Sequence, residues 1–132
     1  MQRTMLSSKI HRAHVTDANP HYEGSITIDA HLMQLAGILE YEQVHVLDVD
    51  NGQRLQTYAM EGEPHSGVIV VNGAAARLIS KGDTVIILSY NTYTPEELAD
   101  YHPTKIYVDD DNRPIEPPLA AQTPSWSSSL RK

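Results

Sequence analysis

Apolar and polar residues alternate along most of this chain in short runs, and turn-forming residues separate the runs. Thr4 to Val15 alternates unevenly around Lys9-Ile10-His11-Arg12, which predicts a strand with polar groups on one face. Ser25-Ile26-Thr27-Ile28 predicts a second, short strand. Asp29 then stands where an N-cap belongs, ahead of Leu32, Met33, Leu35 and Ala36, and Gly37 ends the helix. Gln43 to Val49 alternates and runs into Asp50-Asn51-Gly52, a hairpin turn, so Gln53 to Met60 is the returning strand. Gly67 to Val71 reads as a continuous apolar strand, and Asn72-Gly73 opens an alanine-rich helical turn reaching Ile79. Lys81-Gly82-Asp83 is a turn before the apolar strand Thr84 to Leu88. Pro95 to Leu98 predicts a short helix, and Lys105 to Val108 a last strand. Short strands with frequent turns fit a mainly β fold, a small barrel rather than a parallel α/β sheet.

Composition narrows the picture. A length of 132 residues allows one domain with a real core. Phenylalanine is absent, so tyrosines and Trp126 supply the aromatic bulk. From Pro117 the chain turns to Pro, Ser, Ala and Gln, which predicts a disordered tail over 117–132 and a folded domain over 1–116. Without cysteine there is no disulfide framework and no thiolate zinc site. The seven histidines lack HExxH or i, i+4 spacing. Asp109-Asp110-Asp111-Asn112 lacks the glycine and terminal glutamate of a calcium loop and reads as a solvated acidic turn. No metal is expected. No apolar run reaches membrane-spanning length and the N-terminus lacks a signal-peptide core, so a cytoplasmic protein with no membrane partner is expected. A net charge of -7 argues against nucleic acid as a partner, and any anionic substrate must be held by a few placed cations.

Gly24-Ser25, in the run His21-Tyr22-Glu23-Gly24-Ser25, is a bond of a type that can break itself. The serine hydroxyl attacks the preceding carbonyl, and the amide becomes an ester. Glycine suits the attacked position because it has no Cβ and tolerates strained backbone angles. β-Elimination and hydrolysis would then leave a pyruvoyl group at a new N-terminus. Its ketone condenses with an amine to a Schiff base, an electron sink of the kind pyridoxal phosphate provides. The same dipeptide also serves ordinary turns. Arg54, Gln56 and Tyr58 share one strand face. Arg54 is suited to grip a retained carboxylate and Tyr58 to donate a proton, although a solvated arginine and a core tyrosine fit the pattern too. Asn72-Gly73-Ala74-Ala75-Ala76 offers free backbone N–H groups and room for a ligand, or simply a closely packed helix start. Lys9 and His11 alternate on one strand face and either enter a site or stay on the surface.

Taken in order and spacing, these runs resemble one family closely, the bacterial pyruvoyl-dependent aspartate 1-decarboxylases. The resemblance spans about Met1 to Glu116. It rests on Thr4-Met5-Leu6 with Lys9-Ile10-His11, on His21 to Ser25 with Ile28-Asp29, on Ala36-Gly37-Ile38-Leu39, on Asn51-Gly52 with Arg54 and Thr57-Tyr58-Ala59, and on Val71 to Ala76 with Gly82-Asp83. It implies a small six-stranded double-psi β-barrel with short helices, assembled as a homotetramer with sites between subunits. It further implies cleavage after Gly24 into a β chain, 1–24, and an α chain, 25–132, that starts with a pyruvoyl group made from Ser25. No pyridoxal phosphate is then needed. Tyr58 matches the proton donor, Thr57 a substrate contact, Gly73, Ala74 and Ala75 the backbone substrate loop, and Lys9 and Arg54 the cationic contacts. Tyr22, His11 and Asn72 match residues that line the site or assist processing. The implied reaction converts L-aspartate to β-alanine and CO2 for pantothenate and coenzyme A synthesis, with a maturation helper protein in some members. Two other readings compete: a non-enzymatic β-barrel interaction module, and an autoproteolytic hydrolase with a free N-terminal Ser25.

Overall fold

Branched aliphatic residues at every second position commit their strands to one buried face, and the strands meet in a single mixed sheet. The computed structural model describes residues 1–118. In chain order the strands are β1 (Arg3–His14), β2 (Asp17–Asn19), β3 (Ser25–Asp29), β4 (Gln43–Asp48), β5 (Arg54–Gly62), β6 (Ile69–Asn72), β7 (Thr84–Tyr93), β8 (Thr104–Val108) and β9 (Pro114–Ile115). One α-helix, α1 (Ala30–Ala36), and two 3-10 turns, Gly73–Arg77 and Glu97–Asp100, complete the described elements. The strand order is β2-β6-β3-β5-β4-β7-β1-β8-β9. β3 runs parallel to β5 but antiparallel to β6, and β1 runs parallel to β8 but antiparallel to β7.

The mainly β architecture is as expected, and the seven strands read from alternation are all present. The strand count differs from the six that the resemblance implies: nine strands are described. β2 and β9 are three and two residues long, too short for any periodicity to mark them. β6 starts at Ile69 rather than Gly67. Gly67 is instead a buried turn residue at φ 74, where a Cβ would strike the Asp111 carbonyl oxygen. The helix expected at Pro95 is the 3-10 turn that follows. A reciprocal cap starts it: Thr94 N–H donates to Glu97 Oε1 at 2.8 Å, and Glu97 N–H to Thr94 Oγ1 at 3.3 Å.

The core is aliphatic. Ile10, Ile87 and Val46 form one inward row across β1, β7 and β4, and Ile26 and Val71 continue the buried face on β3 and β6. Burying each such side chain contributes about 1.5–3 kcal/mol. Helix α1 closes over this core with Leu32, Met33 and Ala36. Asp29 caps it and Gly37 stops it at φ 72, with Gly37 N–H and Ile38 N–H returning to Gln34 O and Met33 O.

The turn at 109–112 corrects the expectation of a wholly solvated acidic loop. Asp110 and Asp111 are exposed, but Asn112 is 1% exposed. Its Oδ1 accepts from His14 N–H, and its Nδ2 donates to His14 O and Gly67 O, each at 2.8 Å. Asn112 thereby ties the β8–β9 turn to β1 and to the turn before β6. Of the tail expected over 117–132, residues 119–132 lie outside the described residues.

Candidate active site

Cross-strand register brings Ser25 opposite Asn72. The pairs Ser25↔Asn72 and Ile26↔Val71 alternate between the outer and the buried face of the β3–β6 ladder. Ser25 and Asn72 are each 6% exposed. Asn72 Nδ2 donates to Ser25 Oγ at 3.2 Å and to Thr27 Oγ1 at 3.1 Å. Asn72 occupies the N-cap position of the 3-10 turn that follows, yet makes no side-chain cap bond there. Its amide is turned to β3 instead.

Gly73 and Gly24 pack backbone to backbone. Gly73 has φ 74, and a Cβ on it would lie 2.6 Å from Gly24 Cα and 2.8 Å from Gly24 N. A Cβ on Gly24 would meet nothing within 4 Å, and Gly24 is not among the positive-φ residues. The steric demand for glycine thus falls on position 73, not on the bond itself, which departs from the strain argument for Gly24. Tyr22 enters this contact through its carbonyl oxygen, 3.1 Å from the same Cβ position, while its side chain is exposed.

A cleft of about 430 Å³ opens beside this contact, lined on one side by Gly24, Asn72, Ala74, Ala75 and Leu78. Leu55, Gln56, Thr57 and Tyr58 of β5 form its other wall. The parallel pair Ile26↔Ala59 makes Ser25 and Tyr58 the next positions back on adjacent strands. Tyr58 is half-buried, and its ring stacks on Tyr41 with centroids 6.1 Å apart. No sequence pattern marks Tyr41. It is 70% exposed at φ 72, and its N–H donates to Ala59 O, one residue beyond Tyr58.

Of the expected site residues, Gly24, Thr57, Tyr58, Asn72, Ala74 and Ala75 line this cleft, with Ser25 and Gly73 in contact with its wall. The cationic residues lie elsewhere. Arg54 lines a neighbouring cleft of about 420 Å³ with Thr4, Gln43, His45 and Tyr90. The two clefts adjoin where Gln43 Nε2 donates to Gln56 Oε1 at 2.8 Å. Lys9 sits farther along the same outer face, because the pairs Lys9↔Leu88, His45↔Leu88 and His45↔Gln56 form one row across four strands. Burial, then the Lys105 ammonium across the ladder, lowers the Lys9 pKa. His11 shares this side of β1, with Lys9 paired to Lys105 and His11 to Tyr107. Its ring meets Tyr107 edge-on at 5.3 Å, and its buried Nδ1 has no hydrogen-bond partner. Burial, then Lys9 and Arg12, lowers its pKa and favours the neutral imidazole. His11 lines a third cleft, of about 480 Å³, rather than the one at Ser25.

A family model described as Aspartate decarboxylase matches residues 1–115. An "Aspartate 1-decarboxylase" of Clostridium botulinum (strain Langeland) is 57% identical over 112 residues, covering 85% of this chain and 88% of the relative. That of Thermoanaerobacter pseudethanolicus is 57% identical over 115 residues, covering 87% and 98%. Among solved structures, a rationally designed protein, mkDPBB_sym_86, aligns at TM-score 0.46 and 18% identity, over 64% of this chain and 92% of its own. With a family match along 1–115 and relatives this similar, the chain belongs to the aspartate decarboxylase family.

Proposed function

We propose that this chain decarboxylates L-aspartate to β-alanine and CO2 with a pyruvoyl group made from its own Ser25. One observation carries the reading: an amide donor, Asn72 Nδ2, is set on Ser25 Oγ beside a side-chain-free Gly24 at the edge of a cleft that holds Tyr58. The donor orients the hydroxyl. Ser25 Oγ attacks the Gly24 carbonyl carbon, the Gly24–Ser25 C–N bond breaks, and an ester joins the two residues. Elimination releases the Gly24 carboxylate, and hydrolysis of the dehydroalanine frees ammonia and leaves the pyruvoyl group on an α chain of 25–132. The β chain is then 1–24.

The site residues fit such a group: position 25 is shielded, and Gly73 leaves no Cβ to crowd the new chain end. When formed, the group would supply an electron sink for the pair left on the α-carbon as CO2 departs. The chain's other residues do the binding and the proton transfer. Arg54 and Lys9 hold the side-chain carboxylate that the product retains. Neither grips the departing carboxylate, since binding that charge would stabilise the ground state against its loss. Thr57 and the backbone of Gly73 to Ala75 fix the substrate's other end, and Tyr58 Oη delivers the proton to the α-carbon. His11 and Tyr22 support the site from its edge.

Within one copy Arg54 lines a different cleft from the one at Ser25, and Lys9 lies farther along the sheet. We therefore assign the complete site to neighbouring copies in a homotetramer, one presenting Ser25 and Tyr58, the next presenting Lys9 and Arg54. The product would feed pantothenate and coenzyme A synthesis in the cytoplasm, and a maturation helper protein would act, where needed, on the Gly24–Ser25 step. The test is conversion of L-aspartate by the purified chain, read as β-alanine and CO2. Tyr58→Phe should self-process as the parent does and turn over about 10²–10⁴-fold more slowly. A processed protein that makes no β-alanine would overturn the reading, and unchanged turnover in Tyr58→Phe would move the proton donor elsewhere.

A further inference from the structure

Away from the cleft, three carboxylates converge where the turn after β4 meets the turn entering β7. Asp48, Asp50 and Asp83 each bring an oxygen within 4.8 Å of the other two. Asp48 is the buried member at 2% exposure, Asp83 is half-buried and Asp50 is open to solvent. Their oxygens divide into bonded and free. Asp48 Oδ1 accepts from the N–H groups of Asp50 at 2.8 Å and Asn51 at 3.3 Å. Asp83 Oδ2 accepts from Ser80 N–H at 3.0 Å, and Asp50 Oδ2 from Thr84 N–H at 2.7 Å. Asp48 Oδ2 is buried and receives no N–H or O–H donor. The group within hydrogen-bond reach of the Asp48 carboxyl is the Asp83 carboxylate, and the two can bond only by sharing a proton.

A carboxylate oxygen shut off from water and facing two more carboxylates is strongly unfavourable unless something positive lies between them. No side chain supplies it. Among the described residues, the one ion pair within 4.0 Å is His14 with Asp110, so no lysine or arginine neutralises this cluster. Burial, then the hydrogen bond a protonated Asp48 gives Asp83, pushes the Asp48 pKa up to about 6 and lowers that of Asp83, so a proton is the competitor for the space between them.

We propose that Asp48, Asp50 and Asp83 form a site for one hard divalent cation of the calcium or magnesium class. Three carboxylate oxygens are the ligands such ions take, and water completes the shell from the open Asp50 side. The ion pins the β4–β5 turn to the entrance of β7. Asn51 Nδ2 also donates to Leu78 O at 2.7 Å, so the clamp reaches a residue that lines the Ser25 cleft without entering the chemistry. The absence of cysteine, the histidine spacing and the 109–112 turn give no sign of a metal in the sequence. These ligands come from two turns far apart in sequence, so no motif announces them.

The test uses the full chain, stripped with a chelator and melted in CaCl2 or MgCl2 against KCl at equal ionic strength. Equilibrium dialysis counts the bound ion. A near-saturating cation should raise the melting temperature by roughly 4 °C or more, with one ion bound per chain. Asp48→Asn keeps an oxygen for the Asp50 and Asn51 N–H groups and turns an amide donor toward Asp83. It should fold, lose the ion and lose the thermal response. Asp50→Asn, on the exposed rim, should weaken binding without altering the ion-free melting temperature. Absence of any ion-specific shift overturns the proposal, and so does a shift that survives in Asp48→Asn. Stabilisation on acidification through pH of about 6, with no cation effect, would assign the gap to a shared proton and equally overturn it.

Discussion

The two ends of β3 put buried polar groups to opposite uses. At its far end Asp29 is fully engaged: Oδ1 accepts from His31 N–H at 2.8 Å and His65 N–H at 2.9 Å, and Oδ2 from Gly67 N–H at 2.9 Å. That carboxylate caps α1 and holds the turn before β6, and nothing about it is free to react. At the near end Ser25 Oγ receives one donor at 3.2 Å and sits against a cleft. The strand spans five residues, so a saturated carboxylate and a hydroxyl with spare hydrogen-bonding capacity are held at the two ends of one short element. A polar group buried for stability is saturated with partners, whereas one buried for chemistry is oriented and left with capacity to spare.

The sharpest break in this comparison is at Ser25 itself. Ser25→Ala should abolish cleavage and β-alanine formation while leaving urea stability within about 0.5 kcal/mol, since no saturated network is lost. Asp29→Ala should do the reverse. It strands three backbone donors and should cost about 3 kcal/mol or more of stability, read as a fall in the urea midpoint. Arg54→Gln removes a charged grip from the neighbouring cleft. It should raise KM for aspartate by about tenfold or more without changing self-cleavage. Asn72→Ala removes the donor to Ser25 Oγ, together with the bond to Thr27 Oγ1, and should slow cleavage by about tenfold, followed as fragment mass against time.

The smallest effect is in acid. Burial opposes ionisation of Asp29, but the Gly67, His31, His65 and Leu32 N–H groups outweigh it and hold the pKa below the ordinary carboxylate value. A depressed pKa means that the folded state binds the proton less readily than the unfolded chain. The stabilisation is therefore complete above the unfolded value of about 3.9 and fades as pH falls through the lower folded value. Asp29→Asn should flatten that acid limb in urea melts at pH 2–5, and an unchanged slope would remove Asp29 as its source.

The same contrast marks what the sequence could show. Local signals were readable where the chemistry is local: Asp29 and Gly37 bound α1, and Asp50-Asn51-Gly52 turns β4 into β5. The shared faces of Lys9 with His11 and of Arg54 with Tyr58 follow from a period of two and agree with the register. What alternation does not carry is which strand lies beside which. Ser25 meets Asn72, and the Asp48 turn meets Asp83, only through register between distant segments. Asn112 sits in an acidic run and reads as solvated, yet its φ of 59 and three bonds put it in the interior. The separation of Lys9 and Arg54 from the Ser25 cleft is likewise a property of the sheet and not of any local pattern.

The most direct measurement is the intact mass of the purified chain under denaturing conditions. Self-processing predicts two chains divided after Gly24, the larger one lighter by one ammonia than a fragment beginning with serine. Ser25→Ala run beside it should give one full-length mass. A parent chain that stays full length after prolonged heating and incubation with cell lysate would contradict self-processing, and so would a larger fragment that begins with an unmodified serine.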